Sequence, residues 1–353
     1  MSEIFVTADL HLGSTFRNAQ TAVASAQQML DYLESMLQNA LQKGARYFVI
    51  CGDIFDSTQP PFGLEQAVMD KLGRYNELMI LVVSGNHDPY DKTPFFKLPR
   101  PDNLMVFSKD FTKFEGEDVV FYGCSYYAGE NTITPQIAGA SQKLNILITH
   151  GELDGSDNNM PSLSSGKVIE CGYDYVLMGH IHKRQTLSLA NGARLLYPGI
   201  PYGRGYDEAG ICGYYQLSTE GKAAALSFIP LKCHRYFNIE TDVTGSHNIS
   251  DITEKVRRHV NQCGEGCWVR ATLTGFVPAG INLDAGAVLS ATLLPQLKQI
   301  SDKTRLDPQT LSTNTQNLKG LFCKKLIELR QNAGQDEIEI IDKALKFGLD
   351  ALN

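Results

Sequence analysis

Ile4-Phe5-Val6-Thr7-Ala8-Asp9-Leu10-His11 joins an apolar, β-branched run to an aspartate and a histidine. The run has the length of a buried strand, and the Asp-x-His falls where that strand would end. The arrangement returns along the first half of the chain. Arg46-Tyr47-Phe48-Val49-Ile50 leads into Gly52-Asp53-Ile54-Phe55-Asp56, and Met79-Ile80-Leu81-Val82-Val83 leads into Gly85-Asn86-His87-Asp88. Leu144-Asn145-Ile146-Leu147-Ile148 precedes His150-Gly151, and Tyr173-Asp174-Tyr175-Val176-Leu177 precedes Gly179-His180-Ile181-His182. After the first strand, Ala26, Met29, Leu30, Leu33, Leu37 and Leu41 recur at helical spacing, and Gly44 closes that helix. Strands alternating with helices predict an α/β domain whose function collects in the loops beyond the carboxyl ends of its strands.

Five of the eight histidines lie inside these motifs. Carboxylate, amide and imidazole groups without cysteine suit hard divalent ions such as Mn²⁺. Two such ions roughly 3.5–4 Å apart acidify a water and clamp the attacking and leaving oxygens of an in-line displacement. The residue set therefore points to metal-assisted hydrolysis of a phosphate ester. Gly52, Gly85 and Gly179 are read as sharp turns that aim the next side chain into the site. His87 is the candidate acid for the leaving group, and Asp56 is expected to orient its ring and raise its pKa. The alternative for His87 is a histidine that only caps its loop.

The chain has 353 residues, 43% hydrophobic and 20% charged, which fits a soluble globular protein of one large and one smaller domain. A net charge of −7 and a pI near 5.6 argue against tight DNA binding by this chain alone, and a partner could supply basic surface. No apolar run approaches the roughly 20 residues that span a bilayer. The first strand leaves no room for a signal peptide, so a cytoplasmic protein is expected. The eight cysteines show no framework spacing and are expected to be free thiols. Cys263-Gly264-Glu265-Gly266-Cys267 offers half a zinc site with no partner pair.

Three segments are expected: 1–232 with the motifs, 233–308 as a small α+β cap, and 309–353 as a C-terminal helical segment. Strand-like runs between residues 185 and 230 are assigned to a second sheet packed on the first. In the cap, a helix over Ile252–Val260 is expected to start at an Asp251/Glu254 capping pair. In the tail, Ile338, Ile341, Leu345, Leu349 and Leu352 form a stripe that either packs on its own domain or receives a partner.

The ordered motifs resemble the calcineurin-type metallophosphoesterase superfamily. That resemblance implies a two-sheet α/β/β/α sandwich with a dimetal site at the strand ends. It also implies that Asp9, His11 and His182 hold one ion, that Asn86, His150 and His180 hold the other, and that Asp53 bridges them. The longer spellings Ala8–Gly13, Gly52–Asp56, Gly172–Gln185 and Tyr197-Pro198-Gly199 with Asp207-Glu208 are similar to SbcD/Mre-type DNA repair nucleases, in particular their bacterial YhaO-like branch. This likeness implies a Mn²⁺-dependent exonuclease and endonuclease, with Mg²⁺ or Fe²⁺ as alternative ions. It further implies a homodimer whose C-terminal helices dock on an SbcC-like coiled-coil ATPase of the SMC type. Some relatives carry histidine where this chain has Asp56. Arg17, Lys183, Arg184 and Arg204, just beyond the motifs, are candidate phosphate contacts. Two other readings compete: a phosphodiesterase or nucleotidase for small nucleotides, and a metal-binding scaffold subunit without catalysis.

Overall fold

The computed structural model describes residues 2–16, 22–139, 142–155, 160–279, 281, 283–307, 310–311 and 316–352. The chain divides into two compact units, Met1–Cys233 and His234–Asn353.

Two six-stranded sheets build the first unit. One runs Ala223–Pro230, Gly213–Glu220, Glu3–Thr7, Tyr47–Cys51, Met79–Val83, Leu104–Val106 in spatial order. The other runs Gln185–Ser188, Arg194–Tyr197, Tyr175–Gly179, Leu144–His150, Val119–Gly123, Thr112–Glu115. The central strands of both are parallel and buried on both faces, which is why their sequences read as continuous apolar runs. All seven residues of Leu144–His150 are buried.

Alternation along the strands sorts the layers. Ile4, Val6, Val49 and Leu81 of one sheet meet Phe121, Ile146, Ile148 and Leu177 of the other. On the opposite face, Phe5, Phe48 and Ile80 pack under Met29, Leu33, Met36 and Leu37 of helix Ala22–Gln42 and Val68 and Leu72 of helix Leu64–Arg74. Helix Ser165–Cys171 covers the outer face of the second sheet through Val168 and Cys171. The result is the expected α/β/β/α sandwich, each layer hiding one apolar face.

The division of strands differs from the sequence reading. Only Gln185–Ser188 and Arg194–Tyr197 join the second sheet. Gly213–Glu220 returns to pair antiparallel with the first strand, Ile4 opposite Leu217, and Ala223–Pro230 follows it as a hairpin. The second sheet instead takes the motif strands Leu144–His150 and Tyr175–Gly179. This brings loops from both sheets to one end of the sandwich.

In the second unit, parallel strands Arg235–Asp242, Cys267–Thr274 and Leu297–Asp302 pack against helix Ile249–Gln262 through Ile252, Val256 and Val260. The expected Asp251/Glu254 cap is replaced by one three residues earlier. Asn248 accepts from the Asp251 N–H at 2.9 Å, and the Asp251 carboxylate accepts from the His247 N–H at 2.8 Å. Asparagine ranks among the best N-cap residues, so the helix gains a turn.

Two tail helices, Leu318–Gln331 and Gln335–Ala351, follow. Leu345 and Leu349 are buried with Leu311 and Cys323, so the middle of the anticipated stripe packs within its own unit. Apolar side chains off that stripe face solvent, among them Leu318, Leu321, Leu329, Ile340 and Phe347. All eight cysteines are free. Among the described residues no metal-capable cluster includes Cys263 or Cys267, and no helix is long and apolar enough to cross a membrane.

Candidate metal centre

Backbone bonds between loops build the site. The Asp9, His11 and Leu12 N–H groups donate to the carbonyls of Gly52, Asp53 and Ile54 at 3.1, 3.0 and 2.7 Å, which zips the first two motif loops together. Asp88 ties in the third. Its Oδ1 accepts from the Gly85 N–H at 2.7 Å and its Oδ2 from the Phe55 N–H at 3.1 Å. Asp9 and Asp53 each spend one oxygen the same way, on the N–H of His180 and of His87, both at 2.9 Å. Their second oxygens remain for the centre.

This geometry requires unusual backbone. Asp9, His11, Asp53 and His180 hold φ of 53°, 45°, 49° and 94°. Left-handed backbone at non-glycine residues costs on the order of 1–3 kcal/mol each and persists where surrounding contacts enforce it, commonly at functional sites. The glycines act differently from the expectation. Only Gly52, at φ 86°, turns through the left-handed region. Gly85 and Gly179 supply space: a Cβ on Gly85 would lie 2.2 Å from Asp53 Oδ1, and one on Gly179 would lie 2.0 Å from the Cys51 carbonyl.

The side chains converge in two adjoining groups. Ligand atoms of Asp9, His11 and His182 lie within 4.8 Å of one another, and so do those of Asp9, Asp53 and His150. His11 Nε2 sits 3.0 Å from His182 Nε2. Asn86 Oδ1 lies 2.9 Å from both His150 Nε2 and His180 Nδ1. Asp53 Oδ2 stands between the groups, 3.8 Å from His11 Nε2 and 3.4 Å from His150 Nε2. All seven residues that the resemblance offered as ligands meet here.

These residues suit a pair of cations. Asp9 Oδ2 is buried without a hydrogen-bond partner among the described residues. Leaving such a group unsatisfied costs about 1–3 kcal/mol or more for a charge. The Cys51 carbonyl, 2.9 Å from His150 Nδ1, can only accept, so His150 carries a proton there and turns Nε2 toward the oxygens of Asn86 and Asp53. Lone pairs from nitrogen and oxygen thus point at shared space, an arrangement a hard divalent ion satisfies.

Titration in the metal-free protein carries the same imprint. Burial works against a charged His150, yet Asp53 and Asp9 outweigh it and push its pKa up to about 9. A second proton therefore stands in for a cation. Asp53, though buried, is held well below the usual carboxylate range by His150, His11 and His87. Asp9 is raised by burial and by Asp53. Burial pulls His11 and His180 down toward the neutral form that ligates metal. Burial, then the Asp53 charge, pushes Asp88 up to about 8.

The expected pairing of Asp56 with His87 requires correction. His87 Nδ1 lies 3.0 Å from the Asp56 backbone carbonyl, whereas the Asp56 carboxylate reaches His11 Nδ1 at 3.1 Å and Arg204 Nη1 at 2.9 Å. The loop that carries Asp56 turns its carbonyl toward the third motif and its side chain toward the first. His87 remains exposed at the mouth, its ring edge-on to His11 with centroids 4.7 Å apart.

The candidate phosphate contacts also separate. Arg204 is committed to Glu208, with Nε 3.0 Å from both carboxylate oxygens, and to Asp56. Arg184 donates to the Ile211 carbonyl at 3.2 Å and stacks 4.0 Å over Phe228. Arg204 corrects the expectation, because its donors are turned to the protein itself, whereas Arg184 is exposed and spends one donor on that carbonyl. Lys183 is exposed, and Arg17 lies outside the described residues. The sequence reading assigned no role to Asp88 or Glu152, and none to Glu208 beyond its place in a motif. Glu208 Oε1 lies 3.1 Å from His182 Nδ1, and Glu152 Oε1 lies 3.5 Å from His180 Nε2. The position of Asp88 beside His87 was the available signal for the first.

The family model for calcineurin-like phosphoesterase matches residues 2–184. The uncharacterized metallophosphoesterase YhaO of Bacillus subtilis is 28% identical over 302 residues, covering 77% of this chain and 71% of that protein. Among solved structures, a dimetal phosphatase from Danio rerio is 11% identical, covers 65% of this chain and 98% of its own, and has a TM-score of 0.46. The nuclease MPE of Pseudomonas putida is 15% identical over 61% of this chain and 83% of its own, with a TM-score of 0.30.

Proposed function

Because this chain belongs to the calcineurin-like phosphoesterases, whose model spans residues 2–184, we propose that it is a metal-dependent DNA nuclease of the SbcD/Mre type. The observation that carries the hydrolytic reading is the convergence of Asp9, His11, Asp53, Asn86, His150, His180 and His182 around space that cations would fill. When bound, two divalent ions, Mn²⁺ by preference, supply an acidified water and neutralise charge on the phosphoryl oxygens.

The remaining work falls to the chain. Asp53 stands between the two groups and offsets their mutual repulsion. Asn86 offers its amide oxygen to one group and, through the chain, carries His87 to the mouth. His87 holds a proton at Nδ1 for the Asp56 carbonyl, at 3.0 Å, and so presents Nε2 outward. In its imidazolium form that nitrogen gives a proton to the departing oxygen. The strained backbone at Asp9, His11, Asp53 and His180 pre-sets the ligands.

The DNA assignment rests on the spelling around Asp9, Asp53 and His180; the relative YhaO supports the metallophosphoesterase reading. With Arg204 turned inward and a net charge of −7, affinity for DNA comes in large part from a partner. A coiled-coil ATPase of the SMC type is the proposed partner. Its proposed seat is the exposed apolar set of the tail helices, Ile340 and Phe347 included, and a second copy of the chain completes a dimer. The inward Arg204 also favours a second reading, a phosphodiesterase for small nucleotides, which needs fewer phosphate contacts.

Incubation with Mn²⁺ or Mg²⁺ and either linear DNA or mononucleotides separates the two. Release of nucleotides from DNA ends is expected. Turnover of mononucleotides alone would remove the nuclease reading.

A further inference from the structure

Both histidines beside Asp9 have a carboxylate at ion-pair distance behind Nδ1, and one arginine joins those carboxylates. Asp56 Oδ1 lies 3.1 Å from His11 Nδ1, and Glu208 Oε1 lies 3.1 Å from His182 Nδ1. Arg204 reaches Asp56 through Nη1 at 2.9 Å. It grips Glu208 through Nε at 3.0 Å to each oxygen, through Nη2, and through its own backbone N–H at 2.8 Å. The circuit closes at the centre, where His11 Nε2 and His182 Nε2 stand 3.0 Å apart.

A carboxylate on Nδ1–H fixes an imidazole's tautomer and orientation and raises its basicity toward a metal at Nε2. Here both carboxylates can turn about their side-chain bonds, and Arg204 restricts that freedom because its planar fork meets the two at once. Its side chain is only 20% exposed and Glu208's only 11%, so water competes little for these bonds. The neighbouring group is held by other means. His150 rests on the Cys51 backbone carbonyl at 2.9 Å, and His180 Nε2 faces Glu152 at 3.5 Å. Neither involves Arg204.

We propose that Arg204 is a positioning residue for one ion of the pair: by bridging Asp56 and Glu208 it sets His11 and His182 together and governs retention of the ion held with Asp9. The ion at Asn86, His150 and His180 is retained without it. This rests on the two-ion reading above. It also removes Arg204 from the phosphate contacts, since its donors are spent on the circuit.

The test is Mn²⁺ titration by calorimetry, with electron paramagnetic resonance on the same samples, for the wild-type chain, Arg204→Met and Arg204→Lys. Two ions per wild-type chain with a spin-coupled spectrum are expected. In Arg204→Met one ion binds as in the wild type, which also shows that the variant is folded, and the other weakens about 10–100-fold. The spectrum then becomes that of isolated Mn²⁺ at one equivalent. Arg204→Lys keeps the charge and loses the fork, so it shifts in the same direction. Two ions bound with wild-type affinity in Arg204→Met would overturn the proposal, as would equal weakening of both. Fewer than two ions on the wild-type chain would instead remove the two-ion reading and the proposal with it.

Discussion

His87 shows how much one bond settles at the residue scale. Its Nδ1 faces a carbonyl that can only accept, so the nitrogen left at the mouth is Nε2. His87→Ala should keep both ions and lose about 10²–10⁴-fold in turnover, checked by metal content and diester kinetics on one preparation. Loss of an ion would make His87 a ligand, which its place near His11 and Asp53 allows geometrically. His150 makes a second claim. Its pKa of about 9 in the metal-free fold exceeds the ordinary 6.5, so the proton is held below about 9 and a metal must displace it. Affinity for Mn²⁺ should therefore fall about tenfold per pH unit below about 9 for each proton displaced, with proton release visible by calorimetry in buffers of different ionisation heat. The same raised pKa stabilises the metal-free fold below 6.5, and that stability is lost as pH rises through about 9. The ligands were legible in sequence because each follows an apolar run. The partners of Asp56 were not, because Arg204 lies 148 residues away and only the fold brings it near.

At the scale of elements, Asp88 joins two loops that carry ligands. It accepts one N–H from each, so Asp88→Asn turns an amide NH₂ toward a backbone donor and strands it. Above about pH 8, where the Asp88 carboxyl is ionised, the metal-free protein should lose about 1–3 kcal/mol in urea unfolding, and Mn²⁺ binding should weaken as the Asn86 loop loosens. An unchanged midpoint would mean the loops hold without the tie. The central strands could be read from their continuous apolar runs, which two covered faces impose. The destination of Gly213–Glu220 could not, because an alternating strand fits any sheet with a free edge. Its place beside Glu3–Thr7 is a matter of long-range register, Ile4 against Leu217. The helix start at Asn248 was misplaced for a local reason: two capping candidates stood close together, and the asparagine satisfied the backbone first.

For the whole molecule, all seven candidate ligands belong to Met1–Cys233, and the chain's net charge of −7 includes the buried acids Asp9 and Asp53. A bound cation relieves that crowding, and mass action converts affinity into stability. Free Mn²⁺ at about 100 times its dissociation constant should add roughly 2.7 kcal/mol per site, seen as a higher melting temperature that EDTA reverses. The central claim is that the site around Asp53 would hydrolyse phosphodiesters when it holds divalent ions, and the most direct test is chromogenic diester hydrolysis with saturating Mn²⁺ by the wild-type chain and by Asp53→Ala. Turnover by the wild-type chain that is lost with EDTA and in Asp53→Ala is the predicted result. Hydrolysis by Asp53→Ala at the wild-type rate would contradict it.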